Sequence, residues 1–255
     1  MAGGEDLNLD EYRIMRDIED DFWWYVGFRR IFAAFIERYC AEQVAGRVLD
    51  AGCGTGAFLE FLADRYRPEV LVGADFSPEA LSFCGERGFN GLVQCSVVEL
   101  PFDDGSFDLV TSFDVLCHRS VPDDVIPMRE FARVLRRGGR LLVNLPAFMF
   151  LYSEHDRAVH TARRYRRGEL ERKLLIAGLE PLVVTYTNFF LFPPTAAVKV
   201  VRNLLGSSGE HRSDLVPVPA ALNRALAWLP GLESHLVGRV TLPFGTSVTA
   251  LARRI

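Results

Sequence analysis

Val48-Leu49-Asp50-Ala51-Gly52-Cys53-Gly54-Thr55-Gly56-Ala57-Phe58-Leu59 decides the reading of this 255-residue chain. A short apolar run ends in an acid, a glycine-rich turn follows, and a helical pattern begins. This is a strand, a tight loop and a helix N-terminus, the arrangement that makes a nucleotide site. Lacking a Cβ, the glycines let the loop turn sharply and let a ligand lie on its backbone. Unpaired N–H groups at the start of the next helix face that ligand. A dinucleotide site has G-x-G-x-x-G, and a phosphate-cradling loop ends in Gly-Lys-Ser/Thr. Here the order is Asp50-x-Gly52-x-Gly54-x-Gly56, with the acid two residues ahead of the first glycine. A carboxylate there suits a ligand with a positive end rather than a pyrophosphate. An ordinary glycine-rich strand-to-helix turn is the plainer alternative.

The stretch resembles the first motif of the class I S-adenosylmethionine-dependent methyltransferases, of the type 11 kind. Their cofactor carries an ammonium and a sulfonium and no phosphate. Later segments carry the same resemblance. Val70–Ala74 reads as the second strand and ends at Asp75, where a carboxylate can accept bonds from both ribose hydroxyls. Asp75-Phe76-Ser77-Pro78-Glu79-Ala80-Leu81 is similar to the family. A helix cap is the other use for Asp75, although Ser77 followed by Pro78 already supplies one. After a short third strand near Leu92–Cys95, Leu100-Pro101-Phe102 and then Ser106-Phe107-Asp108 again match the family. The family usually places an acid where Ser96 stands, and that acid bonds the adenine amino group. The departure leaves adenine to the Val97 backbone and apolar packing, and implies a weaker cofactor. Phe107–Phe113 reads as the fourth strand. At its end Asp114-Val115-Leu116-Cys117-His118-Arg119 occupies the place where α/β sites lie. The resemblance puts Phe113 and His118 against the cofactor, with His118 either a base or a packing residue. The helix near Asp124–Leu135, the turn at Gly138-Gly139 and a fifth strand at Arg140–Leu145 complete this part.

The resemblance implies an α/β fold: a Rossmann-like, seven-stranded mixed sheet with helices on both faces. In it Gly52, Cys53, Gly54 and Gly56 make room for the methionine part of the cofactor, Asp50 fixes its ammonium, and Asp75 with Phe76 holds the ribose side. Ser96 and Val97 border the adenine. The chain is expected to be one domain over 1–255. Residues 1–45 form an N-terminal helical lid, 46–188 the cofactor-binding core, 189–240 a substrate cap between the sixth and seventh strands, and 241–255 the last strand.

Two helical patterns precede the first strand, near Glu11–Ile18 and Phe28–Cys40, the second with Ile31, Phe32, Phe35, Ile36 and Tyr39 on one face. The aromatic run Phe22-Trp23-Trp24-Tyr25 lies between them. It either pins the helices to the core or, through Trp23 and Trp24, lines a substrate pocket. Beyond the fifth strand, Pro146 to Tyr165 is a loop dense in polar groups, where function concentrates. Methyl transfer requires the nucleophile to be held about 3 Å from the methyl carbon and in line with it. A hydroxyl or ammonium nucleophile must also lose a proton, and histidine is the usual base near neutral pH. His155 is the first candidate and His160 the second, with Asp156 assisting. Both histidines could instead bond the loop's own backbone or bind a structural metal. Arg163, Arg164 and Tyr165 are placed to fork onto a substrate carboxylate or phosphate, and Tyr152 and Phe189 to line its pocket. Helix Glu169–Ile176, a sixth strand at Pro181–Thr187, a mobile loop at 206–219, a helix near Ala220–Trp228 and a last strand at Pro243–Leu251 follow.

Hydrophobic residues make up 49% of the chain and charged ones 24%, a globular composition. The net charge of −4 gives no reason to expect nucleic-acid binding. The five cysteines fit neither a zinc site nor a disulfide framework, so they read as reduced thiols and no metal is expected. The N-terminus lacks the apolar stretch of a signal peptide, which makes the cytoplasm the default location. Residues 181–198 hold no charge until Lys199, but Asn188, Pro193 and Pro194 argue against stable membrane insertion. The expected activity is transfer of a methyl group from S-adenosylmethionine, leaving S-adenosylhomocysteine, to an O or N atom of a small-molecule acceptor. Secondary metabolites, sugars and lipid-linked compounds are the acceptor classes in view, with a peptide natural product as a variant. A nucleotide-dependent oxidoreductase and a cofactor-binding scaffold or regulator without transfer activity are the rivals. A homodimer is left open.

Overall fold

The computed structural model describes residues 9–204 and 218–255. Helices α1 (Leu9–Ile18), α2 (Trp23–Tyr39) and the short α3 (Ala41–Val44) precede β1 (Arg47–Ala51). Then come α4 (Ala57–Tyr66), β2 (Val70–Asp75), α5 (Pro78–Glu86), β3 (Leu92–Gln94), β4 (Phe107–Phe113), α6 (Val125–Val134) and β5 (Leu135–Pro146). The rest is α7 (Glu154–Ala158), α8 (Arg167–Ile176), β6 (Leu179–Thr187), α9 (Phe192–Leu204), α10 (Ala220–Leu226), α11 (Trp228–Ser234) and β7 (Ser247–Arg254). The strands form one seven-stranded sheet in the order β3-β2-β1-β4-β5-β7-β6, as the resemblance implies. All pairs are parallel except those of β7, which runs antiparallel between β5 and β6.

Neighbouring residues on a strand point to opposite faces, and the buried residues sort accordingly. Val48, Leu109, Leu142 and Leu251 face the layer of α2, with Ile31, Phe32, Phe35 and Ile36. Leu49, Val110, Val143 and Ala250 face the other layer, with Phe131, Leu170 and Leu174. The central strands are therefore apolar on both faces, as parallel strands covered by helices are. The first βα turns and the turn after β4 all emerge at one edge, because β1 pairs in parallel with both β2 and β4. That edge is where the site forms.

Four elements depart from expectation. Helix α2 begins at Trp23, so the aromatic run lies inside it rather than between helices. Residues 192–204 form a helix although two prolines stand at its start. In the first turn a proline removes an N–H that has no helical partner anyway. The expected helix near Ala220–Trp228 is two, α10 and α11. The last strand starts at Ser247, because Gly245 packs its backbone against Thr187 and the chain straightens only beyond it. The loop expected at 206–219 lies outside the described residues up to 217.

The N-terminal and late helices hold each other. The Trp23 N–H donates to Asn223 Oδ1 at 2.8 Å, Arg30 donates to the Ala227 carbonyl at 2.9 Å, and the Tyr39 hydroxyl donates to the Gly238 carbonyl. Glu233 on α11, only 1% exposed, accepts from the backbone N–H groups of Asn188 and Phe189 at 2.6 and 2.7 Å. Those bonds fix the turn that leaves β6. Among the described residues no helix is long and apolar enough to cross a membrane.

Candidate active site

A cavity of about 1310 Å³ opens at the C-terminal edge of the parallel strands. Its floor is the glycine loop. Gly52 has φ +85°, and a Cβ there would collide with Val115 Cγ2, so only glycine lets the turn pass under that side chain. Gly54 has φ +54°, and the nearest atom to a Cβ built on it is Met15 Cε at 4.0 Å, which leaves open space above the loop. Gly56 serves differently: it caps α4 and does not line the cavity. Cys53 lines it beside the turn, and its contact with Cys84, reinforced by burial, raises its thiol pKa, which keeps it protonated.

Asp50 is 2% exposed and accepts the Thr111 hydroxyl at 2.6 Å. Burial, assisted by the charge of Asp75, pushes its carboxyl up to about 7. No basic side chain among the described residues pairs with it, so a carboxylate that faces the cavity lacks a counter-cation. An ammonium fits that requirement. Asp75, at the end of β2, accepts the Gly54 N–H at 2.8 Å with one oxygen and the Ser77 N–H at 3.0 Å with the other. A carboxylate oxygen can accept more than one donor. Ser77 itself caps α5 through the Ala80 N–H, so Asp75 is not needed for that. Phe76, Ser96, Val97 and Phe113 all line the cavity. The Ser96 hydroxyl accepts the Val98 N–H at 3.4 Å, a local turn contact. Phe113 stacks on Phe32 with ring centroids 4.3 Å apart and meets Phe28 and Phe58 edge-on, which roots this wall in the core.

His118 lines the cavity too. Its Nδ1 accepts the Ser120 N–H at 3.1 Å, which puts the ring proton on Nε2. Burial, reinforced by His160, lowers its pKa to about 4, so it is neutral at pH 7. Opposite stand Trp23 and Trp24 from α2 and His155, Asp156, His160 and Arg164 from the segment after β5.

Asp156 is held by its own segment. It caps α7 through Ser153 and takes a bidentate pair from Arg164, Nε at 2.8 Å and Nη2 at 2.9 Å. Arg164 also donates to the Ala147 carbonyl, so this guanidinium is committed to the wall. Tyr165 pairs with Ala147 as an extension of the sheet, and alternation then sends Arg164 toward the cavity and its neighbours away from it. Tyr165 is fully buried, its hydroxyl donating to the Leu116 carbonyl and Asp124. Arg163 donates to the Val121 and Pro122 carbonyls. Tyr152 bonds the Thr161 carbonyl, and Phe189 stacks on Phe244. None of these four lines the cavity, which corrects the expectation that they meet the substrate.

Three features escaped the sequence reading. Asp114 lines the cavity with φ +57°, although its place beyond the fourth strand was visible. Lys199 reaches in from α9, a helix the prolines concealed. Buried Glu19, just past α1, accepts the Thr55 hydroxyl at 2.6 Å and Arg87 at 2.8 Å, which ties the N-terminal segment to the glycine loop. Nothing local announces a bond between residues 36 positions apart.

A family model described as a methyltransferase domain matches residues 49–143. The fatty-acid O-methyltransferase of Mycolicibacterium smegmatis is 35% identical over 58% of this chain, and the match spans 49% of that enzyme, about half its length. A Mycobacterium tuberculosis protein named "probable S-adenosylmethionine-dependent methyltransferase" is 31% identical over 93% of this chain and 81% of its own. The solved chain described as a methyltransferase in complex with the Haloferax volcanii Trm112 methyltransferase activator superposes with a TM-score of 0.62 at 17% identity, covering 98% of this chain and 99% of that one. That likeness speaks for the fold. With the sheet order, the glycine loop and the matching relatives together, the chain belongs to the class I S-adenosylmethionine-dependent methyltransferases, an enzyme family whose cofactor is S-adenosylmethionine.

Proposed function

We propose that this protein transfers a methyl group from S-adenosylmethionine to an O or N atom of a small-molecule acceptor. The observation that carries the proposal is a single cavity that joins the glycine loop and the cation-seeking Asp50 to the polar wall of 155–164. When bound, the cofactor supplies a methyl carbon made electrophilic by a sulfonium. Asp50 takes its ammonium, Gly52 and Gly54 give backbone room, and Asp75 accepts the ribose hydroxyls. Phe76, Ser96 and Val97 border the adenine. The described part of the N-terminal segment, 9–45, acts as a lid, and the helices of 192–204 and 220–234 as a cap. Trp23 and Trp24 hold the acceptor's body, and the acceptor's proton leaves through the group formed by His155, His160 and Asp114. The fatty-acid O-methyltransferase among the relatives is a reason to include carboxylates with phenols and amines in an acceptor panel.

Purified protein, S-adenosylmethionine and that panel should yield acceptor-dependent S-adenosylhomocysteine, read by mass spectrometry. Tight cofactor binding with no product from any acceptor class would favour the scaffold reading.

The Asp50 carboxyl makes cofactor affinity depend on pH. Its pKa near 7 leaves it about half protonated at pH 7 in the free protein. An ammonium favours the ionised form, so below pH 7 binding must expel a proton. Affinity should therefore fall about tenfold per pH unit below 7 and level off above it. Calorimetry from pH 5.5 to 8.5 checks this, and a flat profile removes Asp50 from the ammonium site.

A further inference from the structure

We propose that Asp114 is the residue that takes the proton from the attacking atom, and that the acceptor is an amine or a phenol-type hydroxyl on an apolar body rather than a carboxylate. This rests on the methyl-transfer reading above and narrows its proton-accepting group to one residue.

Asp114 follows β4 directly and lines the cavity. Its chain neighbour Val115 closes over Gly52, which sets this residue next to the turn proposed for the methionine part of the cofactor. The backbone is left-handed here, at φ +57°. Aspartate tolerates that region, and such held conformations cluster at functional sites. What holds it is visible. The Asp114 N–H donates to the Asn144 carbonyl at 2.9 Å. Thr249 donates its hydroxyl to Asn144 Oδ1 at 2.8 Å, and Thr187 sits 2.9 Å from Thr249. With its oxygen so engaged, Asn144 must turn its NH2 to Asp114, where it lies 3.3 Å from Oδ1 and 3.5 Å from Oδ2. These three partners are all under 3% exposed. A buried relay across β6, β7 and β5 thus ends on one carboxylate. Among the described residues the Asn144 amide is the one group that touches that carboxylate at hydrogen-bond range, so it keeps acceptor positions open to the cavity.

Electrostatics suit the role. Asp114 is exposed to the cavity, and the protein mass around that cavity drives its carboxyl up to about 7, with Arg164 and Asn144 opposing and Asp156 adding. A base poised near the working pH is the efficient choice. The titratable groups facing it are Tyr25 from α2, Arg164 and Asp156 from beyond β5, and Cys117 in its own turn. His118, His155, His160 and Lys199 line the same cavity. His118 is held neutral with Nδ1 engaged, and Asp156 is locked to Arg164, so the two later histidines are the rival bases.

In the step, the acceptor's lone pair forms a bond to the methyl carbon while the carbon–sulfur bond breaks and its electron pair stays on sulfur. The acceptor's proton passes to the Asp114 carboxylate and later to water. A carboxylate acceptor has no proton to give and would meet Asp114 as a like charge. The apolar body follows from Trp23, Trp24, Leu151 and Val198 on the same walls.

The test uses the full chain labelled with 13Cγ-aspartate and saturated with S-adenosylhomocysteine, titrated by NMR, for wild type, Asp114→Asn and His155→Ala. Asparagine also tolerates the left-handed region, so the variant should fold. One carboxyl should titrate between about pH 6 and 8 and vanish in Asp114→Asn, with product affinity changed less than about threefold. With amine or phenol acceptors, Asp114→Asn should lower kcat about 10²–10⁴-fold and lose the acid limb of the pH profile, which His155→Ala keeps. An Asp114 that titrates near the ordinary value of about 4 overturns the proposal. So does an acid limb that survives in Asp114→Asn and disappears in His155→Ala, or turnover confined to carboxylates. Failure of S-adenosylhomocysteine to bind would instead remove the methyl-transfer reading beneath it.

Discussion

Asp75→Ala is expected to weaken S-adenosylhomocysteine binding about 10²–10⁴-fold and to destabilise the free protein as well. The carboxylate does two jobs. In the proposed cofactor site it accepts two ribose hydroxyls, and hydrogen bonds to a charged group contribute about 1.5–3 kcal/mol each. Losing both, about 3–6 kcal/mol, gives that fold-change at 1.4 kcal/mol per decade. Toward the protein it accepts the N–H groups of Gly54 and Ser77 at 2.8 and 3.0 Å. Each buried N–H left unpaired costs about 1–3 kcal/mol. Asp75→Asn keeps the shape and one acceptor oxygen, so it should fall between the two. Calorimetry reads affinity and thermal unfolding reads stability. An unchanged affinity in Asp75→Ala would take this residue out of the cofactor site whatever happened to stability.

Arg164→Ala should unfold at markedly lower urea, a loss of about 3–5 kcal/mol. The side chains of Arg164 and Asp156 are 7% and 3% exposed, and they pair through two bonds. Removing the guanidinium strands the Asp156 charge in a wall with little water. Lys199, 3.9 Å from Asp156, can recover part of it, which places the expected loss toward the lower end. Removing both partners together strands no charge, so the double variant should lose clearly less than the sum of the singles. Cofactor affinity should hardly move, because the pair lies on the wall proposed for the acceptor. If the singles simply add, the pair is two independent contacts and not one sealed unit.

These expectations mark where sequence could and could not be read. The strand, glycine turn and helix start of 48–59 were legible because every determinant is local: apolar residues, then Asp50, then glycines where positive φ is needed. The α2 face of Ile31, Phe32, Phe35 and Ile36 was legible because a helix buries residues at fixed spacing. The segment 146–165 was not. Which of Arg163, Arg164 and Tyr165 meets the cavity depends on one pairing, Ala147 with Tyr165, and that depends on the whole sheet edge. Its composition made all three look alike. Asp156 takes a bidentate pair from Arg164, eight residues on, a partner its sequence neighbourhood did not single out. Asp114 shows the opposite failure. Its position was evident, but the left-handed backbone and the Thr187–Thr249–Asn144 relay come from strands up to 135 residues away in the chain.

The central claim is that the glycine loop, Asp50 and Asp75 form an S-adenosylmethionine site. Calorimetric titration of the purified protein at pH 8 with S-adenosylmethionine, and separately with S-adenosylhomocysteine, tests it most directly. The account predicts one site per chain with micromolar affinity for at least one of the two. No heat of binding from either ligand, with the protein folded, would contradict it.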